Sequence, residues 1–252
     1  YPAAKVLVGG DLSGPRDRQR FIGQTAVTDW DMVIVPESVM KLIAVSKDTE
    51  LAYIDTRMME LREGLERAKE SGGEHTVKQI ERVLKREQAK QQKLVSSKAS
   101  DTGLTFEQSG CDFLWVDEAH YYKNLARTSN SADLSLPEGS QRASDLEMKA
   151  RWLRDRAILR NIESGQPDAP AKAIAFATGT PVSNSLSELW VMNRYLRPDL
   201  LDAAGIGHID AWAQTFAKQR TTVEMNITGT SLRPISRMAE YQNLRQLIAM
   251  VD

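Results

Sequence analysis

The chain has 252 residues, 33 basic and 34 acidic side chains for a net charge of −1, 41% hydrophobic and 27% charged residues. That balance excludes a histone-like basic protein, though not a local basic face. One cysteine, Cys111, excludes a disulfide framework and a cysteine zinc site, and no apolar run approaches the roughly 18 residues of a membrane span. The length suits one large domain or two small ones, either able to bury a core. With no signal-peptide pattern, a cytoplasmic location is expected. The opening Tyr1-Pro2 carries no Met and runs at once into the apolar residues 3–8. This reads as a cut into an existing domain, so a fragment is expected.

In chain order, four short apolar runs predict buried strands at residues 5–8, 32–35, 113–116 and 173–177. Each is followed by turn or polar chemistry. Continuous apolar runs separated by helical stretches suggest a parallel sheet covered on both faces. A polar insert over residues 47–100 interrupts the second and third runs. Its first half places Leu51, Ile54, Met58, Leu61, Leu65 and Ala68 at alternating spacings of three and four, an apolar helical seam. Ser71-Gly72-Gly73 breaks it, and Val77, Ile80, Leu84 and Leu94 continue the register in a second helix. An antiparallel helical hairpin is expected.

The two arms carry opposite charge. Residues 48–70 hold four basic and seven acidic residues, and residues 77–98 hold seven basic and two acidic. The arms can attract each other while water solvates the rest. Alternatively the second arm touches phosphates through Lys78, Arg82, Lys85, Arg86 and Lys93. Further along, the Ser-rich residues 127–144 carry no period and read as a mobile loop. Helices are expected over 147–162, 187–196 and 210–218. Alternating Val223, Met225 and Ile227 suit a half-exposed strand. Cys111 reads as a small core residue, His75 and His208 as surface residues. One of Tyr121 and Tyr122 should pack in the core, and stacking of the other on a base is an alternative.

The chemistry concentrates at Phe113-Leu114-Trp115-Val116-Asp117-Glu118-Ala119-His120. In a parallel sheet the ligand crevice lies outside the carboxyl ends of the strands, so a strand ending in Asp-Glu delivers two acids to it. Nucleotide hydrolases need one carboxylate to hold Mg²⁺, usually through water, and a second to position or deprotonate the attacking water. An acidic strand end in a solvated turn is the plain alternative. The four letters Asp-Glu-Ala-His should arise by chance in roughly one or two chains per thousand of this length, which weighs against it. A second strand end, Ala175-Phe176-Ala177-Thr178-Gly179-Thr180-Pro181, sets two hydroxyls beside the crevice, where they could bond a histidine or a phosphate. Gly179 permits a tight turn there, and the same residues are also ordinary turn chemistry.

These residues resemble a known family. Asp117-Glu118-Ala119-His120 looks like motif II of the superfamily 2 helicases and translocases, and the following Lys123-Asn124 is similar to the Swi/Snf-type ATPases. Thr178-Gly179-Thr180-Pro181, with Asn184 and Ser187-Glu188-Leu189-Trp190, looks like their motif III. Trp30-Asp31-Met32-Val33-Ile34-Val35 resembles the strand before the Ib region. The nearest likeness is to the helicase portion of large bacterial, phage and plasmid polypeptides that join a DEAH-box helicase to an adenine DNA methylase.

The resemblance implies an α/β fold: a partial RecA-like (P-loop NTPase) parallel sheet with helices on both faces and a helical-hairpin insertion. Residues 1–46 and 101–252 would form the first ATPase lobe and residues 47–100 the insertion. The implied activity is ATP hydrolysis coupled to movement on DNA, chiefly double-stranded, with ATP and Mg²⁺ as cofactors. Asp117 would hold Mg²⁺ through water and Glu118 would activate the hydrolytic water. His120 would couple the γ-phosphate region to motif III, and Thr178, Gly179 and Thr180 would link nucleotide state to nucleic-acid grip.

The sequence departs from the family at the P-loop. Gly9 and Gly14 have the right separation, but Pro15-Arg16 follows where Gly-Lys-Thr or Gly-Lys-Ser is required. The resemblance therefore places the P-loop segment before Tyr1, and the second lobe with its arginine finger after Asp252. A non-catalytic nucleic-acid or protein binding module on a degenerate helicase lobe is the alternative. A hydrolase using Asp117, Glu118 and His120 as direct metal ligands is disfavoured, because consecutive strand residues point to opposite faces.

Overall fold

The computed structural model describes residues 2–10, 12, 14–70, 74–97, 104–131, 133–183, 185–225 and 232–251. In order the elements are β1 (Val6–Val8), α1 (Pro15–Val27), β2 (Met32–Ile34), α2 (Glu37–Met40), α3 (Lys47–Glu70), α4 (Glu74–Ser96), β3 (Leu114–Val116), α5 (Gln141–Glu163), β4 (Ile174–Phe176), α6 (Ser187–Leu196), α7 (Pro198–Ala203), α8 (Ile209–Phe216), β5 (Ala217–Met225), β6 (Leu232–Tyr241) and α9 (Leu244–Val251). No helix among the described residues is long and apolar enough to cross a membrane. The chain divides into two compact units, residues 1–58, 86–114 and 145–174, and residues 59–85, 115–144 and 175–252.

In the first unit β1 and β2 pair in parallel, Val6 opposite Met32 and Val8 opposite Ile34. Gly9 closes the pair. Its N–H donates to the Ile34 carbonyl at 2.8 Å, and a Cβ there would lie 2.9 Å from Leu12 Cδ1. Helix α1 starts on Pro15, whose fixed φ suits the first helical position. It buries Phe21 against Leu12 and Val39, with Leu7 and Val35 alongside. Ile22 joins a second cluster with Ile43, Phe106, Leu153 and Ala173. Cys111 packs against that cluster, as expected, and burial pushes its thiol up to about 11. Lys149 of α5 is fully buried. Its ammonium donates to the Met40 carbonyl at 2.6 Å and to Asp145 at 2.7 Å, satisfying the last turn of α2. Burial holds Lys149 below its ordinary pKa and Asp145 above, each opposed by the other's charge.

Helices α3 and α4 occupy the expected insert. In the first unit Glu50 pairs with Lys90 and Arg57 with Glu87, and Gln91 donates to Asp55. In the second unit the seam buries Leu61, Ala68, Ile80 and Val83, with Leu65, Val77 and Leu84 alongside. The breaker Ser71-Gly72-Gly73 lies outside the described residues.

The third and fourth expected strands, β3 and β4, pair with each other. Leu114 N–H donates to the Ala173 carbonyl and Ala177 N–H to the Val116 carbonyl, both at 2.9 Å. Partners that advance together along both strands make this a parallel ladder. In the second unit α6, α7 and α8 bury Trp190, Val191, Tyr195, Leu201, Ile209, Trp212 and Phe216.

Several expectations need correcting. The four short strands form two separate parallel pairs, so the result is a mixed α/β fold and a continuous sheet is absent among the described residues. Each strand is three residues long. Nor are the strands buried. Val6, Val8, Met32, Val33, Ile34 and Trp115 are exposed.

The stretch over residues 127–144 is anchored. Arg127 bridges to Leu136, its Nε donates to the Leu134 carbonyl at 2.8 Å, and Leu134 is buried. Helix α5 begins at Gln141, earlier than the expected residue 147. Ala143, Leu146, Ala150, Leu153 and Ala157 form one buried stripe that the polar residues between them disguise.

Helix α8 stops at Phe216 and the chain passes directly into β5. Ala217 and Lys218 are thus strand, not helix. The expected strand around Val223 is half of an antiparallel hairpin with β6; Ile227 lies outside the described residues.

Candidate functional site

Strand β3 ends on Val116, and the next residues turn out of the ladder. Ala119 N–H donates to the Ala177 carbonyl at 3.1 Å, which brings the Asp-Glu-Ala-His segment beside the end of β4. To make the turn, Glu118 adopts a left-handed conformation, φ 50° and ψ 45°. A non-glycine residue held there is strained by about 1–3 kcal/mol and persists only where its surroundings over-determine it. Its N–H donates to Asp117 Oδ1 at 2.9 Å, and its carbonyl accepts from Tyr121 N–H at 3.1 Å. Both carboxylates are exposed at the strand end.

The Glu118 side chain curls back to His120, with Oε2 3.1 Å from Nδ1. A carboxylate can only accept, so a hydrogen bond across this contact needs the proton on Nδ1. Thr178 Oγ1 lies 3.4 Å from the same nitrogen and also accepts Thr180 N–H at 3.2 Å. One polar chain therefore runs Glu118–His120–Thr178–Thr180, across the two strand ends. His120 rests against Tyr121 with ring centroids 4.3 Å apart, and Arg142 stands over the outer Tyr121 ring at 5.2 Å. Tyr122 is the core member of the pair.

Gly179 corrects its sequence reading. It has no positive φ, and a Cβ added there meets nothing within 4 Å. The turn does not require glycine, and the space beside it is open. Asn184 lies outside the described residues.

Sequence reasoning gave Lys123 and Glu188 no role beyond likeness. The structure buries both, at 6% and 7% exposure. Lys123 Nζ sits 3.1 Å from Glu188 Oε2 and donates to Ser183 Oγ at 2.9 Å. The same carboxylate oxygen accepts Ser183 N–H at 2.6 Å. Arg127 adds a parallel tie, its Nη2 donating to Ser187 Oγ at 2.9 Å. Burial lowers the Arg127 pKa against the pull of Glu188, while burial and the Glu188 charge raise that of Tyr241. A lysine followed 65 positions later by a glutamate carries no signal in a single sequence.

The five basic residues lie elsewhere. Lys78, Arg82, Lys85, Arg86 and Lys93 are all exposed on α4 and do not join the polar chain at the strand ends. In the second unit Lys78, Arg82 and Lys85 fall on one stripe at 100° per residue, opposite the buried Ile80 and Val83; Arg86 and Lys93 belong to the first unit. Cross-arm ion pairs join Arg57 to Glu87 and Lys90 to Glu50.

His208 is not a plain surface residue. It is half-buried and caps α8, its Nδ1 accepting Asp210 N–H at 3.2 Å. Burial and the Arg67 charge lower its pKa, with Asp210 opposing.

The fit to a nucleotide and its metal is uneven. Asp117 keeps Oδ2 clear of the Glu118 N–H that Oδ1 accepts, which suits a hydrated cation. No group of three or more His, Cys, Asp or Glu among the described residues could hold a metal by direct ligation. At the start of α1, where Gly14 precedes Pro15, Asp17 stands over the first turn, its Oδ2 2.5 Å from where a Gly14 Cβ would sit. An acid there opposes a phosphate.

A family model described as a probable helicase domain matches residues 1–251. No curated protein and no solved structure matches the chain. The match spans both strand-end segments and the hairpin, and on it the chain belongs to the probable helicase domain family.

Proposed function

We propose that this chain carries the metal-holding and water-activating part of an ATP-dependent DNA helicase or translocase, on a RecA-like first lobe of the DEAH-box, Swi/Snf-like kind. The observation that carries the reading is the bonded chain Glu118–His120–Thr178–Thr180. It joins the acidic end of one parallel strand to the hydroxyl-bearing end of its neighbour. In this reading Asp117 holds a hydrated Mg²⁺ through its open oxygen. The ion, when bound, neutralises charge on the ATP phosphates. Glu118 accepts the proton of the attacking water, and the His120 Nδ1–H steadies that carboxylate. Thr178, beside the same imidazole, moves with it and carries Thr180, whose N–H it accepts, and Gly179 leaves room at the turn. Fusion to an adenine DNA methylase and a cytoplasmic setting belong to the same proposal.

The test is ATP turnover and ATP affinity of the full-length protein. Glu118→Gln keeps the shape and loses the base. Binding should survive, while turnover falls by roughly 10²–10⁴-fold, the usual contribution of a general base. Asp117→Asn should weaken Mg²⁺-dependent ATP binding as well. Unchanged turnover in Glu118→Gln removes the residue from the mechanism.

Double-stranded DNA is the partner we assign to the outer stripe of α4. Supporting this, Lys78, Arg82, Lys85, Arg86 and Lys93 are each exposed to solvent. Lys85→Glu with Arg86→Glu should weaken DNA binding and flatten its salt dependence, by about 0.9 in the log–log slope for each phosphate no longer neutralised. An unchanged slope would leave the stripe as a solvated face.

A further inference from the structure

The turn that carries Thr178, Gly179 and Thr180 is held at its two ends by different means. Before it, the parallel ladder ends where Ala177 N–H donates to Val116 and the Ala177 carbonyl accepts Ala119 N–H. After it stands Ser183, whose N–H and hydroxyl are both taken by the buried pair of Glu188 and Lys123. Between these points the only side-chain bond joining the turn to the Asp-Glu-Ala-His segment among the described residues is the Thr178–His120 contact, long at 3.4 Å. Lys123 follows the helical turn that bears His120, and Glu188 lies in the first turn of α6. The ion pair thus clamps the histidine's own turn to the far side of the threonine turn.

Stability alone gives a weak reason for such a pair. Taking both charges out of water is costly, and uncharged side chains of similar size usually serve the fold as well. What apolar groups cannot supply is a directional bond between two segments.

We propose that Lys123 and Glu188 are positioning residues. They hold the Thr178–Thr180 turn in register with His120 and Glu118, so that events at the carboxylates are transmitted past β4. The proposal rests on the helicase ATPase reading given above. It predicts that breaking the clamp lowers turnover and its stimulation by DNA while leaving ATP binding in place.

The experiment uses the full-length protein, with Glu118→Gln assayed beside it. Lys123→Met with Glu188→Gln removes both charges and keeps an acceptor for Ser183 N–H. Its Tm should stay within about 3 °C of the parent's, and its KM for ATP within about twofold. Its DNA-stimulated kcat should fall by roughly 10–100-fold, the scale of an ångström-sized misplacement in an active site. Lys123→Arg, which keeps charge and donors, should restore most of the stimulation to the single-site background. A folded double variant with parental kcat and parental stimulation overturns the proposal, provided Glu118→Gln has lost turnover. Should Glu118→Gln also turn over normally, the reading of the site itself is wrong and the proposal falls with it. Should the double variant fail to fold, Glu188→Asp replaces it. That change keeps the charge but shortens its reach by one methylene, and reduced stimulation at unchanged Tm supports the clamp, whereas unchanged stimulation overturns it.

Discussion

Glu118 combines two properties that ordinarily exclude each other, a left-handed backbone and a long charged side chain. The left-handed region suits glycine, since a Cβ there crowds the following carbonyl. Here the Glu118 N–H bond to the Asp117 carboxylate and the backbone bonds of Ala119 and Tyr121 hold the turn regardless. Function and stability should therefore separate at this residue. Glu118→Gly is expected to raise stability by roughly 0.5–1 kcal/mol, as the strain is released. Turnover should be lost with the carboxylate. Denaturant titration alongside an ATPase assay measures both, and a loss of stability would show that the His120 contact outweighs the strain. Gly179 is the converse case. With open space and no positive φ, Gly179→Ala should leave Tm unchanged within about 1 °C, so any loss of activity there reports on what occupies the space. From sequence, Asp117, Glu118, His120, Thr178 and Thr180 stand out as candidates because they follow apolar runs directly, and the structure sets them at neighbouring strand ends. That Glu118 is strained and Gly179 is not was illegible, since φ depends on where the next bond is made.

Elements were legible in proportion to how plainly their apolar period shows. The α3–α4 seam declares itself in Leu61, Leu65, Ile80 and Leu84, and it packs as written. The start of α5 was hidden because its buried positions there are Ala143 and Leu146 among Ser, Arg and Asp. The clamp of Lys123 on Glu188 has no period at all, as it depends on tertiary placement. Helix α8 is held by a cap whose chemistry titrates. His208 accepts Asp210 N–H through Nδ1, which requires the neutral ring. Its pKa is lowered by burial, then by Arg67, with Arg194 adding and Asp210 and Glu63 opposing. A histidine whose folded pKa lies below its unfolded value binds fewer protons when folded. The stability it contributes is present above the unfolded value, near pH 6.5, and is lost as pH falls through the folded value. Thermal unfolding followed from pH 8 downward should therefore show Tm dropping below about pH 6.5. His208→Ser, which caps without titrating, should flatten that part of the curve. An identical slope in the variant would assign the effect to other groups.

At the scale of the whole chain, two parallel pairs of three-residue strands leave apolar residues such as Val8, Ile34 and Trp115 facing outward. Sequence reading predicted the strands from these residues and wrongly took apolar runs as buried ones. A run reports what a strand can bury, and burial needs a second layer to receive it. The site has the same one-sided character. In the proposed reading Asp117 and Glu118 hold a hydrated cation and a water, yet the described residues offer the triphosphate no glycine-rich cradle. The 252 residues contain no Gly-Lys-Thr or Gly-Lys-Ser run, and Asp17 stands over the first turn of α1 where a phosphate would need a donor. Backbone N–H groups and a lysine normally supply that grip. An arginine finger contributes about 10³–10⁵ in rate in the enzymes that use one. This chain expressed alone should therefore bind ATP very weakly and turn it over at background, with or without DNA. The same assay on the full-length protein should show DNA-stimulated turnover that Asp117→Asn abolishes. Robust, Asp117-dependent hydrolysis by the isolated 252 residues would mean that its own residues form a phosphate cradle after all, with the α1 start, despite Asp17, as the first place to seek it by phosphate-contact mutagenesis.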